Sequence, residues 1–339
     1  MEAHRTVRAL RLRSLALSLA IAAGLHERAL RAMLARRGNR LVLLFHRVLP
    51  AGSGNDFSPP GMVVSDESFS SLLSWLPERF RIVDADTLLA DYPAPLSEPS
   101  VLITFDDAWS DVALHALPVM KAKGIPGLLF AAPHFIDTGD LFWPERLLRA
   151  AASLTDEEFR AIAGGSRPDP ADAEEIEAAM QSWKARTEEE RLELVSALEE
   201  AVAAGAPDRE TSKPDELAIA NERRISDWRE LRVLAENGIE IGSHGYSHAL
   251  LPDCSQEMIR FELRASKARL EEALGRPVRF VAYPNGDRND LVRRIAREEG
   301  YRFGFSLKGN PLDPFDFPRA NLHEAVIRDP ARFLWGVSR

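Results

Sequence analysis

The chain has 339 residues, 45% of them hydrophobic and 28% charged, a soluble globular composition with room for one large α/β domain or two ordinary ones. A net charge of −9, with no basic stripe through the body, argues against a nucleic-acid binder. The single cysteine, Cys254, excludes an internal disulfide and a cysteine-based zinc site.

Residues 1–40 carry nine arginines against two acids, Glu2 and Glu27. They enclose an apolar run, Leu15–Leu25, that is too short to span a bilayer. A basic flank and a short apolar run outline a signal peptide. However, arginines continue at Arg28, Arg31, Arg36 and Arg37, and no A-x-A cleavage site leads into a polar start. Leu10, Leu17, Ile21, Leu25 and Leu30 recur at roughly helical spacing. The expectation is therefore a basic helix that stays attached and touches an anionic membrane surface. It places the protein in the cytoplasm or on the inner face of a membrane, with export as the alternative.

From residue 41 onward, strand-like runs alternate with helical patterns. Strands are expected at 41–45, 101–104, 127–131, 239–243, 278–282, 301–306 and 317–322. Helices are expected at 68–76, 112–123, 226–237, 256–274 and 290–299. Repeated β-then-α units imply a parallel sheet. About seven such strands fit a closed barrel better than an open sheet. The stretch 137–221 breaks this rhythm with four helical patterns and no strand. It is read as a helical insertion, most simply a solvated cap, that splits the barrel into 41–136 and 222–330.

Chemistry-bearing residues follow the strand ends. Asp106 and Asp107 come after Val101–Phe105. One could bind a metal while the other takes a proton, or both could be the N-terminal acids of the next helix. His244 and His248 follow Ile239–Ser243 at i and i+4. They could share a metal or be two surface histidines. Tyr283-Pro284-Asn285-Gly286 closes another strand with a turn whose N–H groups could meet an oxyanion, or could be an ordinary loop. His46 ends the first strand, and Arg319 and His323 flank the end of the last. Catalytic groups gather at such strand ends in β/α barrels.

The order TFDDAWSD, SHGYSH, AYPNG resembles the polysaccharide deacetylases of the NodB-like family, carbohydrate esterase family 4. The flanks LVLLFHRV, GIPGLLFAA and WRELRVLAENGIEIGSH agree with it. The resemblance covers about 41–135 and 225–325, and neither the basic start nor the insertion. It implies a deformed (β/α) barrel that hydrolyses N-acetyl groups on sugars. It implies Asp106 as general base, Asp107, His244 and His248 as metal ligands, and the Asn285 N–H as an oxyanion donor. A divalent cofactor is implied. Zinc suits two imidazoles and a carboxylate, with cobalt, nickel or manganese as alternatives.

The chain also departs from the family. Ala108 stands where the first motif usually has Gly. Ala282 and Tyr283 stand where an Arg usually precedes the Pro of the third motif. The usual acid-and-Trp motif is missing from Phe303–Leu307. Arg319 is expected to approach from the last strand in place of the missing Arg. His323 is the candidate proton donor to the leaving amine. His46, Tyr283, Pro284 and Trp143 are the candidates to line a sugar site. The expected partner is an N-acetylated glycan or glycan precursor. The competing readings are hydrolysis of another non-peptide C–N bond (a formyl group or a cyclic amide) and an inactive glycan-binding relic.

Overall fold

The structure, a computed structural model, describes residues 25–52, 58–59, 61–169, 172–205 and 224–328. The expectations for residues 1–24 lie outside the described residues. A helix, Leu25–Arg36, leads into the first strand. No helix among the described residues is long and apolar enough to cross a membrane.

The strands are β1 (Arg40–Phe45), β2 (Arg47–Leu49), β3 (Val63–Ser65), β4 (Arg81–Ile82), β5 (Ser100–Phe105), β6 (Gly127–Ala131), β7 (Ile239–Ser243), β8 (Phe280–Ala282), β9 (Phe303–Ser306), β10 (Phe317–Pro318) and β11 (Ala320–Asn321). The main sheet runs β10-β9-β8-β7-β6-β5-β1-β11, and every pairing in it is parallel. Its two ends are consecutive in the chain, because only Arg319 separates β10 from β11. Residues 317–321 thus form one extended stave that pairs first with β9 and then with β1. This closes a deformed barrel of seven staves, as the strand count predicts.

Strand alternation sorts the core into two layers. Val42, Leu102, Leu128, Phe130, Phe280, Ala282, Phe305 and Phe317 form the barrel interior. Leu41, Leu43, Ile103, Leu129, Ile241 and Val281 face outward, where Phe69, Leu73, Leu234, Leu263 and Ile295 of the surrounding helices cover them. Both strand faces are therefore buried, which explains near-continuous apolar runs such as VLITF. The amino-terminal mouth is plugged. β4 pairs with the start of β5, and Ala85 and Leu88 of the short helix after it join the interior. Arg40 locks that plug, donating from Nε to Leu88 O at 2.6 Å and from Nη2 to Ala90 O at 3.0 Å. Only the carboxyl-terminal mouth is left for a site.

Between β6 and β7 the chain forms the helices Trp143–Ser153, Asp156–Ala163, Ala173–Lys184 and Glu188–Ala204. Reciprocal capping boxes, Thr155 with Glu158 and Thr187 with Glu190, start two of them. They bury a core of their own around Leu147, Phe159, Ile176, Trp183 and Leu198.

Candidate metal and catalytic site

The alternation that points Val42, Leu102 and Phe130 inward continues past the strand ends. It turns His46, Asp106 and His244 toward the mouth, and Arg319 joins them from the closing stave. Gly242 makes room on the inner wall, since a Cβ there would come within 2.7 Å of the Phe130 ring. The Arg319 guanidinium lies 5.2 Å from the centroid of that ring.

Arg319 grips Asp106 with both arms, Nη1 to Oδ1 and Nη2 to Oδ2, each at 2.7 Å. The two are 3% exposed at most. Burial alone would raise the Asp106 carboxyl, but Arg319, with His244 and His46 behind it, outweighs burial and holds it down at about 2. Both Asp106 oxygens are thus committed to one guanidinium.

Asp107 is the opposite case. Its Oδ1 is buried without a hydrogen-bond partner, and it lies 3.6 Å from His244 Nε2 and 3.6 Å from His248 Nε2. One ligand atom from each residue falls within 4.8 Å of the others. Tetrahedral bonds of about 2.0–2.2 Å need donors about 3.4 Å apart, so this set fits a divalent ion. His244 Nδ1 is 2.8 Å from Ala282 O. That contact puts the proton on Nδ1 and leaves the Nε2 lone pair facing the cluster. Burial, then the Asp106 and Glu145 charges, push the Asp107 carboxyl well up. Burial pushes both imidazoles down, and for His248 the neighbouring His244 adds to it.

Backbone geometry holds these groups in place. Asp107 (φ 70°) and Ala108 (φ 56°) are both left-handed, which explains why Gly is common at the second position. Gly245 (φ 75°) and His248 (φ 60°) make the second loop equally sharp. Glu262 pins that loop, accepting from Tyr246 N (2.7 Å), Ser247 N (2.9 Å) and Ser247 Oγ (2.6 Å).

The remaining predicted residues divide. His46 is half-buried, and burial pushes it down to about 4 against the pull of Asp106. His323, at the start of the Glu324–Ile327 helix, is close enough to act on His46 electrostatically. Pro284 packs by the histidine loop, with its Cγ 3.7 Å from where a Gly245 Cβ would stand. Asn285 is exposed, with φ 56°. The hydrogen bonds that close its turn use Gly286 N and Asp287 N.

One sugar-lining expectation, Tyr283, is corrected by position. Tyr283 is fully buried in the outer layer, and its hydroxyl donates to Phe315 O at 2.9 Å. Trp143 packs against the core of the insertion beneath Arg191. Tyr283 therefore leaves no ring face for a sugar, whereas Trp143 is partly exposed. The residue before it, Phe142, meets the site instead, with its ring 5.0 Å from His248 and 6.0 Å from Trp109.

Sequence reasoning missed a buried polar layer beside Asp107. Asp111 accepts from Arg47 Nε (2.8 Å) and Val48 N (3.0 Å). Arg47 also donates to Ser58 Oγ (2.7 Å) and stacks 4.1 Å from the Trp109 ring centroid. Glu145, in the first turn of the Trp143–Ser153 helix, is 2% exposed, and neither carboxylate oxygen has a partner. Burial pushes it up to about 7, only partly opposed by its own N–H and by Arg47. A charged residue inside LLFHRV was the one available signal, since an Arg in a buried strand needs an acid nearby.

The polysaccharide deacetylase family model matches residues 209–304, the stretch that holds His244, His248 and the Pro284–Gly286 turn. No curated protein matches the chain. Among solved structures, the Streptococcus pyogenes deacetylase PplD, determined in complex with acetate, superposes with a TM-score of 0.55 at 13% identity, over 88% of this chain and 97% of that one. IcaB from Ammonifex degensii gives 0.54 at 19% identity, over 87% and 96%. A de-N-acetylase from Aggregatibacter actinomycetemcomitans gives 0.51 at 14%, over 84% and 95%. At these identities the likeness is one of fold. Taken with the match of residues 209–304 to the family model, it gives the chain the fold of the polysaccharide deacetylases that it resembles.

Proposed function

We propose that the chain is a divalent-metal-dependent hydrolase that removes acetyl groups from an N-acetylated sugar in a glycan or glycan precursor. The observation that carries this reading is the contrast between two adjacent aspartates. Asp107 Oδ1 is unpartnered and faces two imidazoles, while Asp106 is held off by Arg319. Asp107, His244 and His248 would hold the ion, and zinc suits these donors best. When bound, the ion supplies Lewis acidity toward the amide carbonyl and lowers the pKa of water.

The protein's own groups supply the rest. Asp106, ionised at any pH above about 4 because of Arg319, accepts the proton of the attacking water. The Asn285 N–H is the candidate donor to the developing oxyanion. As the C–O bond forms and the C–N bond breaks, the leaving nitrogen must gain a proton, for which His323 is the candidate donor. The outcome is acetate and a free amino sugar. That PplD was determined with acetate and that another neighbour is a de-N-acetylase favours acetyl over formyl or cyclic-amide substrates.

The test is a substrate panel: N-acetylglucosamine oligomers, their N-formyl counterparts and small cyclic amides, with each product quantified. Acetate release that exceeds all other hydrolysis supports the reading. Turnover confined to formyl or cyclic amides would replace it with the second C–N hydrolase. No turnover by metal-loaded protein on any of them would favour the inactive glycan binder.

A further inference from the structure

The charges around the site do not balance. Asp106 is neutralised by Arg319. Asp111 is neutralised by Arg47, whose Nε is 2.8 Å away. His244 and His248 each bring Nε2 to 3.6 Å from Asp107 Oδ1. Two buried carboxylates are left without a bonded counter-charge, Asp107 and Glu145. They come from different parts of the molecule. Asp107 follows a barrel strand, whereas Glu145 sits on the insertion, one helical turn after the Phe142 that touches His248. The Glu145 charge acts directly on Asp107. A first-turn glutamate ordinarily lies at the surface and interacts with the helix end. This one is inside, where an unpaired charge is expensive.

We propose that Glu145 is an outer-shell carboxylate of the metal site. It supplies, from the insertion, the second negative charge that balances a divalent ion on Asp107, His244 and His248. The inference rests on the metal reading above and assigns the insertion a role in it. Glu145 is a positioning residue, not a ligand, since the three donors close up without it. Outer-shell groups of this kind typically change metal affinity by about 10–100-fold.

The test is zinc affinity by chelator competition on the full chain, for wild type, Glu145→Gln and Glu145→Asp, with thermal unfolding of each metal-free protein. Glu145→Gln should weaken zinc at least about tenfold. Its metal-free form should unfold no earlier than wild type, because the substitution removes an unbalanced buried charge. Glu145→Asp, which keeps the charge, should bind within a few-fold of wild type. Three results would overturn the proposal: equal affinity in wild type and Glu145→Gln, equal weakening in both variants, or a Glu145→Gln chain that does not fold. Failure of wild type to bind any divalent ion would be a different failure, because it removes the metal reading itself.

Discussion

Asp106 and Asp107 are neighbours with the same side chain, yet their surroundings drive their proton affinities apart. Asp106 lies inside the barrel against a guanidinium fork, which keeps it ionised and holds both oxygens in one orientation. Asp107 turns away through a left-handed backbone and meets two imidazoles instead. This division depends on Arg319. Breaking a buried pair leaves an uncompensated charge and costs about 3–5 kcal/mol. Arg319→Met should therefore lower unfolding stability by about that amount, as measured by urea titration. It should also free an Asp106 oxygen to reach the metal cluster, where His244 Nε2 is already 3.6 Å from Oδ2. Acetate release should then fall at least about 100-fold, the scale of general-base catalysis. Arg319→Lys, which keeps the charge but not the fork, should lie between the two.

At the scale of elements, periodicity made most of the barrel legible. The helix predicted at 256–274 has those bounds, and all seven predicted strands are present within a few residues. Buried parallel strands and amphipathic helices write their faces into local sequence. β2, β3 and β4 were not foreseen because two or three residues are too few to show a period. Tyr283 shows how the strand pattern could have been taken further. It shares parity with outward-facing Val281, whereas inward-facing Ala282 leads to Pro284. The misreading came from proximity in sequence to the motif, which says nothing about the face. Glu145, one turn along from Phe142 and near Trp143, escaped the sequence for a different reason. Trp143 and Glu145 both lie on the first turn of one helix, and only the docking of that helix decides which residue meets the barrel. A buried first-turn acid and an ordinary capping acid look the same in sequence. The meeting of Asp106, Asp107, His244 and His248 was legible because all four follow strand ends that one barrel brings to one mouth.

For the whole molecule, one stave carries both architecture and chemistry. Residues 317–321 close the barrel by pairing with β9 and β1, and the residue at the joint is the one that holds Asp106. The folded state and the ionised Asp106 carboxylate are therefore linked. The native Asp106 carboxyl sits at about 2 against an ordinary 3.8. A depressed carboxylate stabilises the fold fully above its unfolded value, and that stability is lost as pH falls through the native value. The unfolding free energy of metal-free wild type, relative to Asp106→Asn, should thus decline by about 2 kcal/mol between pH of about 4 and about 2. Above that window other groups titrate in opposite senses. His46, pushed down to about 4, favours the fold above pH 6.5, whereas Glu145, pushed up to about 7, disfavours it as pH rises from 4.5. The comparison with Asp106→Asn cancels the Glu145 contribution, whereas His46, which the Asp106 charge pulls up, titrates lower in the variant and adds to the difference near pH 4. A difference that stays flat from pH 4 to pH 2 would show that the pair is not formed.

The most direct measurement is acetate release from N-acetylglucosamine oligomers by wild type and Asp106→Asn, with zinc content determined on the same samples before and after chelation. Wild type should lose activity on chelation and recover it with zinc. Asp106→Asn should retain zinc yet lose at least about 100-fold in rate. Full activity in chelated wild type, or in Asp106→Asn, would contradict a metal site on Asp107, His244 and His248 served by Asp106 as its base.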